Sequence, residues 1–93
     1  MIIGTLQLEL RFFQPQSLKE KRMLLKSLVT RIRNQFNVSI AETDGMDLWQ
    51  TSSLAIAAVG GETKHVNQIL SHVAGFIKTE RDIEIMKERM EFF

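Results

Sequence analysis

Basic side chains are concentrated between residues 18 and 36, where they could bind phosphate groups. This segment holds six basic residues against one acidic residue, Glu20, although the whole chain of 93 residues has a net charge of only +1. The basic residues are Lys19, Lys21, Arg22, Lys26, Arg31 and Arg33.

Helical spacing places Lys19, Arg22, Lys26 and Arg33 in one narrow arc beside an apolar stripe, with Arg31 on the opposite flank. Lys21 falls at the edge of the stripe, where we expect its ammonium group to reach solvent. The pattern predicts either contacts with a phosphate backbone or a solvated helix flank paired with acidic residues.

Metal chemistry has little support in the sequence. Glu42, Asp44 and Asp47 offer oxygen ligands of the kind that Mg²⁺ prefers, but their spacing is not that of a calcium loop, and acidic residues are ordinary in turns. His65 and His72 stand seven residues apart on a predicted helix, or about 10 Å, which is too far for them to share one metal ion. We therefore expect no metal and no cofactor.

Catalytic motifs are missing as well. The chain has no cysteine, which excludes disulfides, thiolate metal sites and a cysteine nucleophile. No nucleophile elbow or phosphate-binding glycine loop occurs, and Gly60-Gly61 is a lone glycine pair. The start of the chain lacks the pattern of a signal peptide, and no uncharged apolar run could span a membrane. These features predict a cytoplasmic protein that is not an enzyme.

Alternation and helical periodicity predict the elements that carry these residues. Leu6, Leu8, Leu10 and Phe12 alternate with polar residues in the first strand, and Ser17 with Glu20 forms a capping box for the first helix. The predicted order is a strand at 2–13, a helix at 18–35, a short strand near 38–41, a turn loop at 43–47, a strand at 48–59, a helix at 63–78 and a strand from 82. Apolar residues change strand face after Ile85, which indicates either a β-bulge or a tail that leaves the sheet.

This order predicts one ferredoxin-like α+β domain over residues 1–93. Right-handed crossovers give a βαββαβ sandwich, a four-stranded antiparallel sheet in the order 4-1-3-2, with both helices on one face. The open face would carry the small residues Ser53, Ala55 and Ala57, with Trp49 at the start of their strand. It lacks the aromatic residues of an RNA-recognition sheet, so this face predicts either contact with a second copy or partner, or a solvated surface.

Three segments resemble the YlxP-like family, small bacterial proteins of unknown function. They are Ser17-Leu18-Lys19-Glu20-Lys21-Arg22, Arg31-x-Arg33-x-x-Phe36-Asn37-Val38-Ser39-Ile40-Ala41-Glu42 and Leu48-Trp49-Gln50, about half of the chain. The resemblance implies a ferredoxin-like fold and no known enzyme activity. Its members are often encoded near genes for transcription elongation, translation initiation and ribosome maturation, which by analogy implies a role near RNA. Ala55 stands where the family usually has glycine, and Glu42 has no role assigned by the family.

We therefore expect a non-enzymatic binding module that forms a homodimer and meets RNA or a ribonucleoprotein through its basic first helix. The alternative is a protein-interaction or scaffold homodimer domain that docks a partner on the open sheet face or at an edge around Trp49. For Glu42, an ion pair with Arg31 or Arg33 is the structural expectation.

Overall fold

Six elements build the fold, and a computed structural model describes all 93 residues. In chain order they are β1 (Ile2–Phe12), α1 (Leu18–Gln35), β2 (Ser39–Asp44), β3 (Thr51–Gly60), α2 (Thr63–Lys78) and β4 (Ile83–Phe92). The strands form one sheet in the order β2-β3-β1-β4, and every neighbouring pair is antiparallel. This arrangement confirms the predicted βαββαβ fold, because the order is 4-1-3-2 counted from the other edge.

One apolar core lies between the sheet and the two helices. Leu6, Leu8 and Leu10 of β1 are buried against residues such as Leu28 of α1 and Leu70 of α2. The alternating apolar positions of the central strands and one stripe of each helix meet there, because burial of apolar surface is the main stabilising term in folding. The other face of the sheet carries no helix, and neither helix is long and apolar enough to cross a membrane.

The start of α1 is fixed by side chains that precede it. The Ser17 hydroxyl accepts a hydrogen bond from the Glu20 backbone amide at 3.2 Å, which satisfies one free donor of the first turn. The Glu20 carboxylate accepts from the backbone amide of Gln16 at 2.7 Å, one residue before the cap rather than at the cap itself. The predicted helix bounds are confirmed.

The hairpin between β2 and β3 lies later in the chain than its sequence pattern indicates. β2 continues to Asp44 through a register shift at Thr43, and β3 begins only at Thr51. Gly45 begins the connecting loop with a φ of 82°, a backbone conformation that other residues rarely adopt. Trp49 therefore lies in the loop of residues 45–50, and not at the start of a strand as predicted.

A β-bulge explains the change of face in β4. Glu9 pairs with Lys87 and Leu10 pairs with Ile85, so Met86 is the extra residue. Beyond it the strand continues to Phe92, and Phe93 exchanges two backbone hydrogen bonds with Ile3. The bulge is therefore the correct one of the two predicted alternatives, and the end of the chain stays in the sheet.

Alanine substitutions at two glycines are expected to have opposite effects on stability. A Cβ at buried Gly4 would lie 2.5 Å from Val66 Cγ1 and 2.9 Å from Leu70 Cδ1, so Gly4→Ala should lower the free energy of unfolding by about 1–3 kcal/mol. A Cβ at Gly75, exposed on α2, would meet nothing within 4 Å, so Gly75→Ala should raise it by about 0.5–1 kcal/mol. Urea unfolding of both variants measures the two changes. Equal effects of the two would contradict the close packing at Gly4.

Candidate functional site

The cations of α1 fall into two groups. Lys19 and Lys26 are exposed and form no ion pair with an acidic residue. Arg22 is 46% exposed, but its Nη1 donates to Glu42 Oε1 at 2.7 Å and to the Met46 carbonyl oxygen at 3.3 Å. The helical stripe predicted from the sequence therefore exists, and it contains both free and paired cations.

Lys21 does not reach solvent, contrary to the expectation from the sequence. Its side chain is fully buried, and Nζ donates to Glu42 Oε2 at 2.9 Å and to the Gly45 carbonyl oxygen at 2.8 Å. A lysine charge is costly to bury unless it is paired and hydrogen-bonded, and here both conditions are met. Lys21 is therefore removed from the residues predicted to contact nucleic acid.

Glu42 is the centre of a polar cluster that joins three elements. Its carboxylate accepts hydrogen bonds from Lys21 and Arg22 of α1 and from the Ser52 hydroxyl of β3, the last at 2.6 Å. The predicted partners Arg31 and Arg33 were wrong, because the register of β2 turns Glu42 toward the helices beside the first turn of α1. The cluster fixes the start of α1 against the loop of residues 45–50.

The hydrogen bonds of this cluster control the ionisation of Glu42. Burial by itself would raise the pKa of the carboxyl, but the hydrogen bonds from Ser52, Lys21 and Arg22, with the nearby Lys21 charge, outweigh it and hold the pKa below its ordinary value. Glu42 therefore remains charged at neutral pH and keeps both cations in place.

The lowered pKa of Glu42 predicts a pH dependence of stability. Because the pKa is lower in the folded state than in the unfolded state, the stabilisation is present above about pH 4.3 and is lost as the pH falls through the folded value. Urea unfolding of the protein and of Glu42→Gln at about pH 7 and about pH 3 measures it. We expect the difference in stability between the two to shrink at the lower pH. A constant difference would contradict the prediction.

The two remaining arginines of α1, Arg31 and Arg33, contact residues outside the Glu42 cluster. Arg31 forms an ion pair with Glu80 and lies over the Phe76 ring, 5.9 Å from its centroid, which ties α1 to the end of α2. Arg33 donates to the Ile40 carbonyl oxygen at 3.0 Å, a bond that leaves its charge without an acidic partner. Arg33 therefore adds charge to the surface of α1, whereas the charge of Arg31 is paired.

The open face of the sheet carries the small residues expected there. Ser53, Ala55 and Ala57 of β3 point away from the helices, because their neighbours Leu54 and Ile56 are buried in the core. Trp49 is 41% exposed in the loop of residues 45–50. No group of three or more histidine, aspartate or glutamate side chains comes together as metal ligands.

Sequence reasoning did not predict the contribution of Ser52 and of the Gly45 carbonyl oxygen to this cluster. Ser52 occupies an inward position of β3, in line with Leu54 and Ile56, and is 2% exposed. A hydroxyl at an apolar position of a strand was the available signal, because a buried polar group needs a partner.

Two comparisons with known proteins place this chain among proteins without an assigned activity. The family described as "Protein of unknown function (DUF503)" matches residues 3–90. The "Uncharacterized protein YlxP" of Bacillus subtilis (strain 168) is 40% identical over 92 residues, which cover 99% of this chain and 100% of that protein. Both matches confirm the resemblance that the sequence motifs indicated.

Proposed function

Because the chain belongs to the DUF503 family, whose function is unknown, we propose a function from its charges: a non-enzymatic module that binds structured RNA along its helical layer. The helical layer is defined here as α1 together with α2. The proposal retains the basic helix as the contact surface, but without Lys21, and it extends that surface to the second helix.

The observation that carries the proposal is the separation of charge between the two layers. The helical layer contains eight basic residues and one acidic residue, Glu20, whereas the rest of the chain contains four basic and ten acidic residues. The eight are Lys19, Lys21, Arg22, Lys26, Arg31, Arg33, Lys64 and Lys78. A surface with an excess of positive charge attracts a polyanion and raises the rate of encounter with it.

Internal ion pairs reduce this charge without removing it. The acidic residues that reach the helical layer from elsewhere are Glu42, Glu80 and Glu88, which pairs with Lys78 at 3.4 Å. Three such acids and Glu20 against eight basic residues leave a surplus of four positive charges. Lys64 of α2 has no acidic partner, as is true of Lys19 and Lys26.

The geometry of α1 suits a phosphate backbone. Lys19, Arg22, Lys26 and Arg33 lie on one face, and with a rise of 1.5 Å per residue the first and last are about 21 Å apart along the axis. Charges along a nucleic-acid strand are separated by only a few ångströms, so this length spans several phosphates. Double-stranded RNA is recognised largely by shape and phosphate contacts, which need no aromatic platform on the sheet.

Salt dependence of RNA binding tests the proposal. With about four phosphate contacts, affinity for a double-stranded RNA hairpin should fall about 100-fold between about 50 and about 200 mM KCl. Fluorescence anisotropy of a labelled hairpin measures this change. No binding at the lower salt concentration, or binding that salt leaves unchanged, would contradict the proposal.

Partner docking around Trp49 is the competing function, and the same titration distinguishes it. Trp49 shares its exposed loop with Met46 and Leu48, and this loop lies beside the start of α1, where Arg22 donates to the Met46 carbonyl oxygen. RNA bound along the helical layer passes beside this loop, so the RNA-binding proposal is compatible with a change in Trp49 fluorescence on addition of RNA. A shift on addition of a protein partner, with no response to RNA, would favour docking at this loop.

A further inference from the structure

The open face of the sheet carries opposite charges at its two edges, with small side chains on one half and long side chains on the other. Three rows of paired residues cross all four strands on this face. The row nearest the hairpin loop runs from acidic Asp44 on β2, through Ser53 and Glu9, to basic Lys87 on β4. Opposite charges thus stand at the two ends of one row.

Side-chain size divides the same face into two halves. In the middle row, Ala41 and Ala55 lie on β2 and β3, whereas Gln7 and Arg89 lie on β1 and β4. The third row repeats the division, with Ser39 and Ala57 followed by Thr5 and Glu91. A depression of about 760 Å³ lies on this face and is lined by residues of all four strands.

We propose that this face binds a second copy of the chain through a twofold axis parallel to the strands. Such an axis keeps each residue at its level along the strands and exchanges the two edges. Lys87 of one copy then faces Asp44 of the other, and Arg89 lies over Ala41. The long side chains of β1 and β4 in each copy therefore pack over the small residues of β2 and β3 in its partner. Opposite charges meet at both edges of the interface.

The other twofold axis in the plane of the interface, perpendicular to the strands, gives no such match. It places β4 over β4 and β2 over β2, so long side chains meet long ones and the small residues face a void. Sheets that pack face to face are rotated by about 30°, which moves the edge strands by only a few ångströms and leaves lysine within reach of aspartate. Charge and shape thus select the same axis.

The size of the face limits the strength of the dimer. Four strands at about 4.8 Å and some eight residues at about 3.3 Å give roughly 500 Å² per copy. The total of about 1,000 Å² is near the lower limit of specific interfaces, so we expect dissociation in the micromolar range. The helical layer lies on the opposite side of the sheet, and the dimer is therefore independent of RNA binding.

Sedimentation velocity from about 1 to about 200 µM tests the dimer. Lys87→Glu and Asp44→Lys should each weaken association at least tenfold, because each places like charges opposite one another. The combined variant, Lys87→Glu with Asp44→Lys, restores the opposite charges and should recover most of the affinity. Ala55→Arg places a long side chain in the middle of the interface and should abolish association. Ser71→Arg, at an exposed position of α2 outside the interface, should not.

Circular dichroism of each variant shows that loss of association is not loss of folding. A chain that remains monomeric over the whole concentration range would overturn the proposal. So would a dimer that Ala55→Arg leaves intact, or charge variants whose effects simply add in the combined variant.

Discussion

Replacement of Glu42 by alanine is expected to lower the free energy of unfolding by about 3–5 kcal/mol. The change leaves the fully buried ammonium group of Lys21 without a counter-charge and removes the acceptor for Ser52. A small domain is stable by only about 5–15 kcal/mol, so the loss is a large share of the total. Urea unfolding followed by circular dichroism measures it.

Two further variants define the origin of this loss. Asp47→Ala removes a carboxylate from the neighbouring loop, where it is exposed and forms no ion pair, and should change stability by less than about 0.5 kcal/mol. Lys21→Met with Glu42→Leu removes both charges together and should cost less than the sum of the single changes. Strictly additive losses would show that the two charges do not interact.

Reversal of two charges on α1 should weaken RNA binding about 100-fold at about 50 mM salt, since each lost phosphate contact costs roughly tenfold. The variant is Lys19→Glu with Lys26→Glu, and both side chains are exposed and unpaired, so neither change disturbs the core. The slope of log affinity against log salt concentration should also decrease in magnitude by about two, one unit for each lost phosphate contact. Anisotropy of the RNA hairpin gives both values.

A matched control separates local contact from overall charge. Arg81→Glu makes the same single charge change as Lys26→Glu, but in the loop before β4 and outside the helical layer. We expect Lys26→Glu to weaken binding about tenfold and Arg81→Glu less than about threefold. Equal losses would mean that RNA responds to net charge only, which contradicts a contact surface on α1.

The elements could be predicted from the sequence because their patterns are strong and local. Each signal depends only on residues that are close together in the chain, as in the alternation of Leu6, Leu8 and Leu10 and in the cap at Ser17. The limits of the hairpin could not be predicted in the same way, and neither could the choice between a bulge and a tail after Ile85. They depend on which residues pair across strands, and pairing is set by the whole sheet.

The polar cluster was not predicted from the sequence, which assigned Glu42 to Arg31 or Arg33 and Lys21 to solvent, although the sequence contains a signal for it. Lys21 stands in line with Leu25 and Leu28, Glu42 with Ile40, and Ser52 with Leu54, so each is a polar residue at an inward position. Three such residues on three elements predict that they satisfy one another, because buried polar groups are paired. Their meeting point needed the register of β2, which only the fold supplies.

The burial of Lys21 makes it a chemical reporter of motion in the hairpin loop. The other five lysines of the chain are exposed and would react at once with an acylating reagent, whereas Lys21 must first be released from Glu42 and Gly45. Local opening of a folded protein occurs at free energies well below that of global unfolding. The rate at which Lys21 is acylated therefore measures how often the loop lifts away from α1 while the rest of the molecule stays folded.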